Sequence, residues 1–150
     1  MVTDNKKRAV IIKRIFYMIS TLLAVSALVF VYLDSNTKAL ILAAVIVVWF
    51  FVFNLADFQF VQFGVENGKL ILRYYPIVKF GRKEYSSIEF PAPLLKEYLM
   101  EKAMFGLVTD LTLLVKTRQG IAEYPSVSLA AVSKAEREQI KKILDGLLGR

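Results

Sequence analysis

Two uncharged apolar stretches, separated by five residues, constrain this chain more than any other feature. Ile15 to Leu33 and Ala39 to Leu55 contain no Asp, Glu, Lys or Arg, and only Asp34-Ser35-Asn36-Thr37-Lys38 lies between them. At about 1.5 Å per residue, each run reaches roughly the thickness of a bilayer hydrocarbon core. The intervening residues have turn and cap chemistry. Two helices joined this tightly must run antiparallel. The hydrophobic content of 56% and the mean hydropathy of +0.49 are also too apolar for an ordinary soluble domain. A helical hairpin across a membrane is expected over residues 15–55, with spans 15–33 and 39–55. Val25-Ser26-Ala27 has the small residues of a signal-peptide cleavage site. The apolar run continues past it and a second run follows, so an uncleaved anchor is expected.

Charge sets the expected orientation. Residues 1–14 hold Lys6, Lys7, Arg8, Lys13 and Arg14 against the single acid Asp4, whereas the inter-helix loop has one lysine. Basic residues concentrate on the cytoplasmic side of short loops. This basic N-terminal segment is expected in the cytoplasm, as is everything after the second span, so the chain is placed in the cytoplasmic (inner) membrane with both termini inside. Much of the net charge of +7 stands beside the first span, which reads as a topology signal and not as a nucleic-acid surface. Tyr17, Tyr32, Trp49, Phe50 and Phe53 are expected at the membrane interfaces. Ser20, Thr21, Ala24 and Ala27, with Ala43 and Ala44, are expected to form the hairpin seam or a dimer seam, since small residues let helices approach closely. A pore would need ionisable residues inside the spans, and there are none.

The chain has no cysteine and no histidine. Disulfides, thiolate zinc sites and every histidine-based catalytic set are thereby excluded. No glycine spacing matches a dinucleotide or phosphate-binding loop, and no cofactor is expected. Glu97 and Glu101 are four apart but are flanked by Lys96 and Lys102, as on a solvated face. Ser126, Ser128 and Lys134 fit a strand end and a helix cap better than a catalytic pair. The chain is therefore expected not to be an enzyme.

Beyond Asp57 the period changes. Phe58 and Phe60, then Val61, Phe63 and Val65, alternate with a slip of one residue, which predicts a strand with a bulge. Asn67-Gly68 is a strong two-residue hairpin signal, and Leu70-Ile-Leu-Arg-Tyr-Tyr75 returns as the partner strand. Residues 78–90 read as further strand, with Gly81 as a turn or bulge. In residues 94–105, Leu95, Tyr98, Leu99 and Ala103 share a helical face, predicting a helix stopped by Gly106. Strands flank a turn at Arg118-Gln119-Gly120. Ser133 and Glu136 have capping-box spacing, and Ile140, Ile143, Leu144, Leu147 and Leu148 then line one face of a terminal helix. The fold class is a membrane α-hairpin plus an α+β domain over residues 57–150. That domain is an antiparallel bent sheet or partial barrel, capped by an amphipathic helix.

The stretches ENGKLILRYY, FGRKEYSSIEF and YPSVSLAAVSKAEREQIKKIL, set behind such a hairpin, resemble the small bacterial membrane proteins that carry a pleckstrin-homology-like domain. The resemblance covers roughly residues 58–148 and, by layout, the hairpin. It implies a bent sheet or partial barrel capped by the helix, in a family mostly without assigned activity. About five strands are legible where that fold has seven, so residues 94–105 would be strand or the sheet reduced. Phosphoinositide-binding members of the wider fold carry basic residues on the first hairpin. By that resemblance, Lys69 and Arg73, followed by Lys79, Arg82 and Lys83, are the candidates for contact with anionic lipid. Each basic residue near an anionic leaflet contributes about 1 kcal/mol. The expected function is a membrane-anchored, non-enzymatic interaction module that binds a protein partner, itself or anionic lipid. The alternative is an accessory subunit of a transporter or other membrane complex.

Overall fold

A computed structural model describes residues 2–78 and 85–149. The two apolar runs form helices α1 (Lys6–Tyr32) and α2 (Asn36–Ala56), of 27 and 21 residues. Both are long and apolar enough to cross a membrane, with mean hydropathies of 2.2 and 2.7 over their most apolar windows. Ala9 and Phe16 of α1 and Ala56 of α2 are their only buried residues. The helices run antiparallel, since Trp49 lies against Ser20 and Phe53 against Phe16. Asp34, at φ 57°, turns the chain between them.

The hairpin seam takes two of the small residues, Ser20 and Ala27. Phe16, Ser20, Leu23, Ala27 and Phe30 of α1 are buried or half-buried, as are Leu42, Ile46, Trp49 and Phe53 of α2. Thr21, Ala24, Ala43 and Ala44 are exposed on the outer faces. Bulky apolar and aromatic residues fill most of the contact beside Ser20 and Ala27, and the other four small residues point away from it.

The N-terminal segment does not stand apart from the domain that follows the hairpin. Strand β1 (Val2–Asp4) pairs antiparallel with β2 (Gln59–Glu66), with Val2 opposite Gly64 and Asp4 opposite Gln62. The first sheet continues through β3 (Lys69–Pro76) and β4 (Ser86–Pro91), in the order β1-β2-β3-β4. The β2–β3 turn bears out the Asn67-Gly68 signal. Both residues have positive φ, 50° and 73°, as a type I′ turn requires, and Glu66 pairs with Lys69 across it. The expected bulge in β2 is absent: pairing with β3 is continuous from Gln59 to Glu66. The apparent slip arises because Phe58 precedes the strand, while Phe60 packs with a second apolar cluster built on Ala9, Ile77 and Ala131. The expected turn at Gly81 lies outside the described residues.

The second sheet holds β5 (Leu95–Ala103), β6 (Val108–Thr117), β7 (Gly120–Glu123) and β8 (Val127–Ser128); β7 and β8 share one edge of β6. Here the expected helix over 94–105 is overturned, because Leu95–Ala103 is a strand paired with β6. Its register steps from Leu95 opposite Val115 to Glu97 opposite Leu114, leaving Lys96 as an extra residue. That bulge puts Leu95 and Tyr98 on one face at a spacing of three, which imitates a helix. Beyond it the period is two, and Tyr98 and Met100 pack on the core.

Helix α3 (Lys134–Leu148) starts at the anticipated capping box. The Ser133 Oγ accepts from the Glu136 N–H at 3.2 Å, and Glu136 Oε2 accepts from the Ser133 N–H at 2.7 Å. Ile140 and Leu144 are buried, and they close one core with Phe63, Leu72, Leu111 and Leu113 from both sheets. Eight strands are thus present among the described residues, where about five were legible.

Candidate functional site

The junction between helices and sheets is built on Asn5, which is 1% exposed. Its N–H donates to the Val61 carbonyl at 3.3 Å. Its side-chain Nδ2 donates to the Gln59 carbonyl at 3.0 Å, and Oδ1 accepts from the Val61 N–H at 2.9 Å. At Asn5 the backbone leaves β1 to enter α1, so the edge of β2 would lose its partner there. The carboxamide carries one donor and one acceptor and completes the ladder. It therefore does not cap α1; the Asp4 carboxylate accepts from the Lys6 N–H instead, at 3.1 Å. Ala9, one turn on, is buried against Ile77 and Ala131.

The other end of the hairpin is fastened by aromatic packing. Phe16 is 2% exposed, with the rings of Phe53 and Phe50 at 4.5 and 5.5 Å and Trp49 stacked at 6.2 Å. Trp49 Nε1 donates to Ser20 Oγ at 3.2 Å. Phe53 meets Phe58 at 4.9 Å, which carries the cluster into the start of β2. Trp49, Phe50 and Phe53, expected at the membrane interface, thus turn into the hairpin, whereas Tyr17 and Tyr32 face outward.

Asp57 ends α2 in a left-handed conformation, φ 43°. Burial raises its pKa, against a hydrogen bond from Gln59 Nε2 at 2.6 Å that lowers it. Asp110 on β6 is also raised, first by burial and then by the charges of Asp57 and Glu101. The first residue after α2 is therefore within electrostatic reach of the beginning of β6. Beside Asp110, a cleft of about 500 Å³ opens between Glu101, Thr112, Glu123 and Tyr124. Among the described residues, no group of three or more His, Cys, Asp or Glu is arranged to hold a metal ion. A second groove, of about 440 Å³, is lined by Pro93, Leu94, Lys96, Lys116 and Ile121. It lies toward the other end of β6, roughly 20 Å from Asp110 at about 3.3 Å per residue. Leu94 and Ile121 are exposed in it, and the charged residues lining it are both lysines.

Of the basic residues chosen for lipid contact, the two described ones, Lys69 and Arg73, stand four residues apart on β3. Lys69 closes the β2–β3 turn, at the end of β2 away from the helices. Arg73 sits mid-strand and pairs with Glu89 at 3.7 Å. Lys79, Arg82 and Lys83 lie outside the described residues. Lys6, Lys7, Arg8, Lys13 and Arg14 are all exposed along the first turns of α1. Asn5, Gln59 and Asp110 had no signal in the sequence, because each acquires its role from a residue far along the chain. No protein-family model, curated protein or solved structure matches this chain.

Proposed function

We propose that this protein is a membrane-anchored interaction module that holds a protein partner at the cytoplasmic face of the inner membrane. In this reading α1 and α2 cross the bilayer as a hairpin, both termini are cytoplasmic, and the two sheets with α3 form a pleckstrin-homology-like domain without chemistry of its own. One observation carries the reading. The hairpin is held at both ends: Asn5 clips the start of α1 to β2, and Phe53 near the end of α2 packs on Phe58, the residue before β2. A domain held in this way cannot swing freely, so it presents a fixed surface at a fixed distance from the bilayer. The groove of Leu94, Lys96, Lys116 and Ile121 lies at the end of β6 away from the hairpin, and its apolar walls and two lysines suit a partner segment with acidic and apolar side chains. The separation of Lys69 from Arg73, and the Glu89 partner of Arg73, weigh against a lipid-headgroup patch on that hairpin.

The test is in-cell crosslinking of the full-length tagged chain, followed by purification from native membranes and mass spectrometry of protein and lipid. A stoichiometric protein partner lost in the Lys96→Glu, Lys116→Glu double variant supports the reading. Recovery of the chain with lipid alone overturns it. An accessory-subunit reading draws on Ala24, Ala43 and Ala44, which are exposed where a further helix could approach closely. A partner kept by the lysine variant but lost when these alanines become isoleucine would favour that reading. Phosphatase and fluorescent-protein fusions at residue 36 and at the C-terminus test orientation. Phosphatase activity at the C-terminus refutes it.

A further inference from the structure

Among the described residues, the β5–β6 turn displays the most exposed large apolar side chains outside the two long helices. Phe105 is fully exposed, at 108% of its reference area, and Leu107 is 81% exposed. The turn is also strained. Met104 and Phe105 both adopt positive φ, 49° and 57°, ahead of Gly106 at 88°. Two consecutive non-glycine residues in the left-handed region are unfavourable, and such strain concentrates where a segment contacts something else. A phenyl ring and an isobutyl group exposed together on one turn mark a contact surface, and a bilayer interface is one that takes them.

The position of the turn says what covers it. Thr109, two residues beyond Leu107, accepts a hydrogen bond from the Leu129 N–H at 2.7 Å. Two residues further along, Ala131 packs on Ala9 at the base of α1. Asp110 feels the charge of Asp57, where α2 ends. The tip of the β5–β6 hairpin therefore projects from the end of the domain that carries the two helices. At the other end of β6, Thr117 and Arg118 lie roughly 30 Å away by strand rise.

We infer that Phe105 and Leu107 insert into the headgroup–acyl boundary of the bilayer beside α1 and α2, as a third attachment point of the domain. The inference rests on the reading that α1 and α2 span the membrane. Two helices fasten the domain along one line; a contact to the side of them fixes its tilt. The occupant is the lipid surface and not a polar ligand, because the turn offers a phenyl ring and an isobutyl group.

The natural chain has no cysteine, so single spin labels can be placed without removing any residue but the one replaced. The full chain carrying Phe105→Cys, Leu107→Cys, Val47→Cys or Arg118→Cys is reconstituted at high lipid-to-protein ratio in phosphatidylcholine–phosphatidylglycerol vesicles. Collisions with oxygen, which enriches in lipid, are compared with collisions with a water-soluble nickel chelate. Labels at 105 and 107 are expected to lose nickel collisions and keep oxygen collisions, like the label at 47 and unlike the one at 118. Nickel access at 105 and 107 equal to that at 118, with the label at 47 shielded, overturns the inference and leaves the membrane hairpin standing. Shielding of 105 and 107 from both reagents also overturns it, since protein would then cover the turn. Nickel access at 47 refutes the spanning hairpin itself. Labelling at 107 keeps Phe105 in place, so loss of the ring does not decide the result.

Discussion

Replacing Asn5 by alanine removes the clip between α1 and β2 while leaving the backbone bond from Asn5 to Val61 available. The Val61 N–H and the Gln59 carbonyl each lose a buried partner. A buried backbone group left unsatisfied costs about 1–3 kcal/mol. Some relaxation and water entry offset this, so Asn5→Ala is expected to destabilise the domain by about 2–5 kcal/mol. Against a typical total of about 5–15 kcal/mol, that is a large loss from one side chain. Asn5→Asp should recover little: it keeps an acceptor for Val61 but supplies no donor for Gln59 and buries a charge. The assay is denaturant unfolding in lipid nanodiscs, followed through the sheets, with hydrogen exchange read at Val61 and at Val2–Asp4. The clip should show as fast exchange at Val61 and through β1 in the variant, with β6 protected until global unfolding. Destabilisation under about 0.5 kcal/mol, the range of an ordinary surface change, with Val61 still protected, would refute the reasoning.

Four further outcomes are expected. Gly68→Ala keeps the type I′ turn sterically open, since nothing approaches its new methyl within 4 Å, but strains φ 73°, and should cost about 1 kcal/mol in thermal unfolding. Ser133→Ala removes one half of the capping box and should cost about 1 kcal/mol, with fraying confined to the first turn of α3 by hydrogen exchange. Asp110 has a raised pKa in the folded protein, so the native state holds its proton more tightly than the unfolded chain does. Its contribution is therefore most favourable below the ordinary aspartate value of 3.8 and is lost as pH rises through the raised folded value. Asp110→Asn should raise the melting temperature at pH 7, and this gain over the natural chain should shrink as the buffer is acidified. Glu89→Gln breaks an exposed ion pair and should change stability by less than about 0.5 kcal/mol in the same melts.

Features that depend on neighbours in the chain were legible. A stretch without charge is a helix candidate whatever surrounds it, and its length sets whether it can cross a bilayer. Asn67-Gly68 and the Ser133–Glu136 box are local because each closes hydrogen bonds over two to four residues. The apolar face of α3 was legible for the same reason, and Ile140 and Leu144 are buried on the core.

Elsewhere a distant partner overrides or completes the local pattern. Leu95–Ala103 has a helical spacing only because Lys96 is bulged out against β6, and the pairing with Val108–Thr117 decides that it is a strand. Trp49, Phe50 and Phe53 look like interface aromatics in sequence, and their direction is set by Phe16 on the other helix. Lys69 and Arg73 are four residues apart, yet the strand separates them and gives Arg73 to Glu89. Nothing near residue 5 announces a strand or a buried amide. Val2–Asp4 is three residues long, and its hydrogen bonds are satisfied only by β2, more than fifty residues away. Composition and period thus determined, from the sequence alone, where the apolar helices lie, where the chain turns and which helix caps a core. The pairing of backbone groups across long separations was decided only in the tertiary structure, because an edge strand or a lone asparagine has no pattern of its own until its partner is beside it.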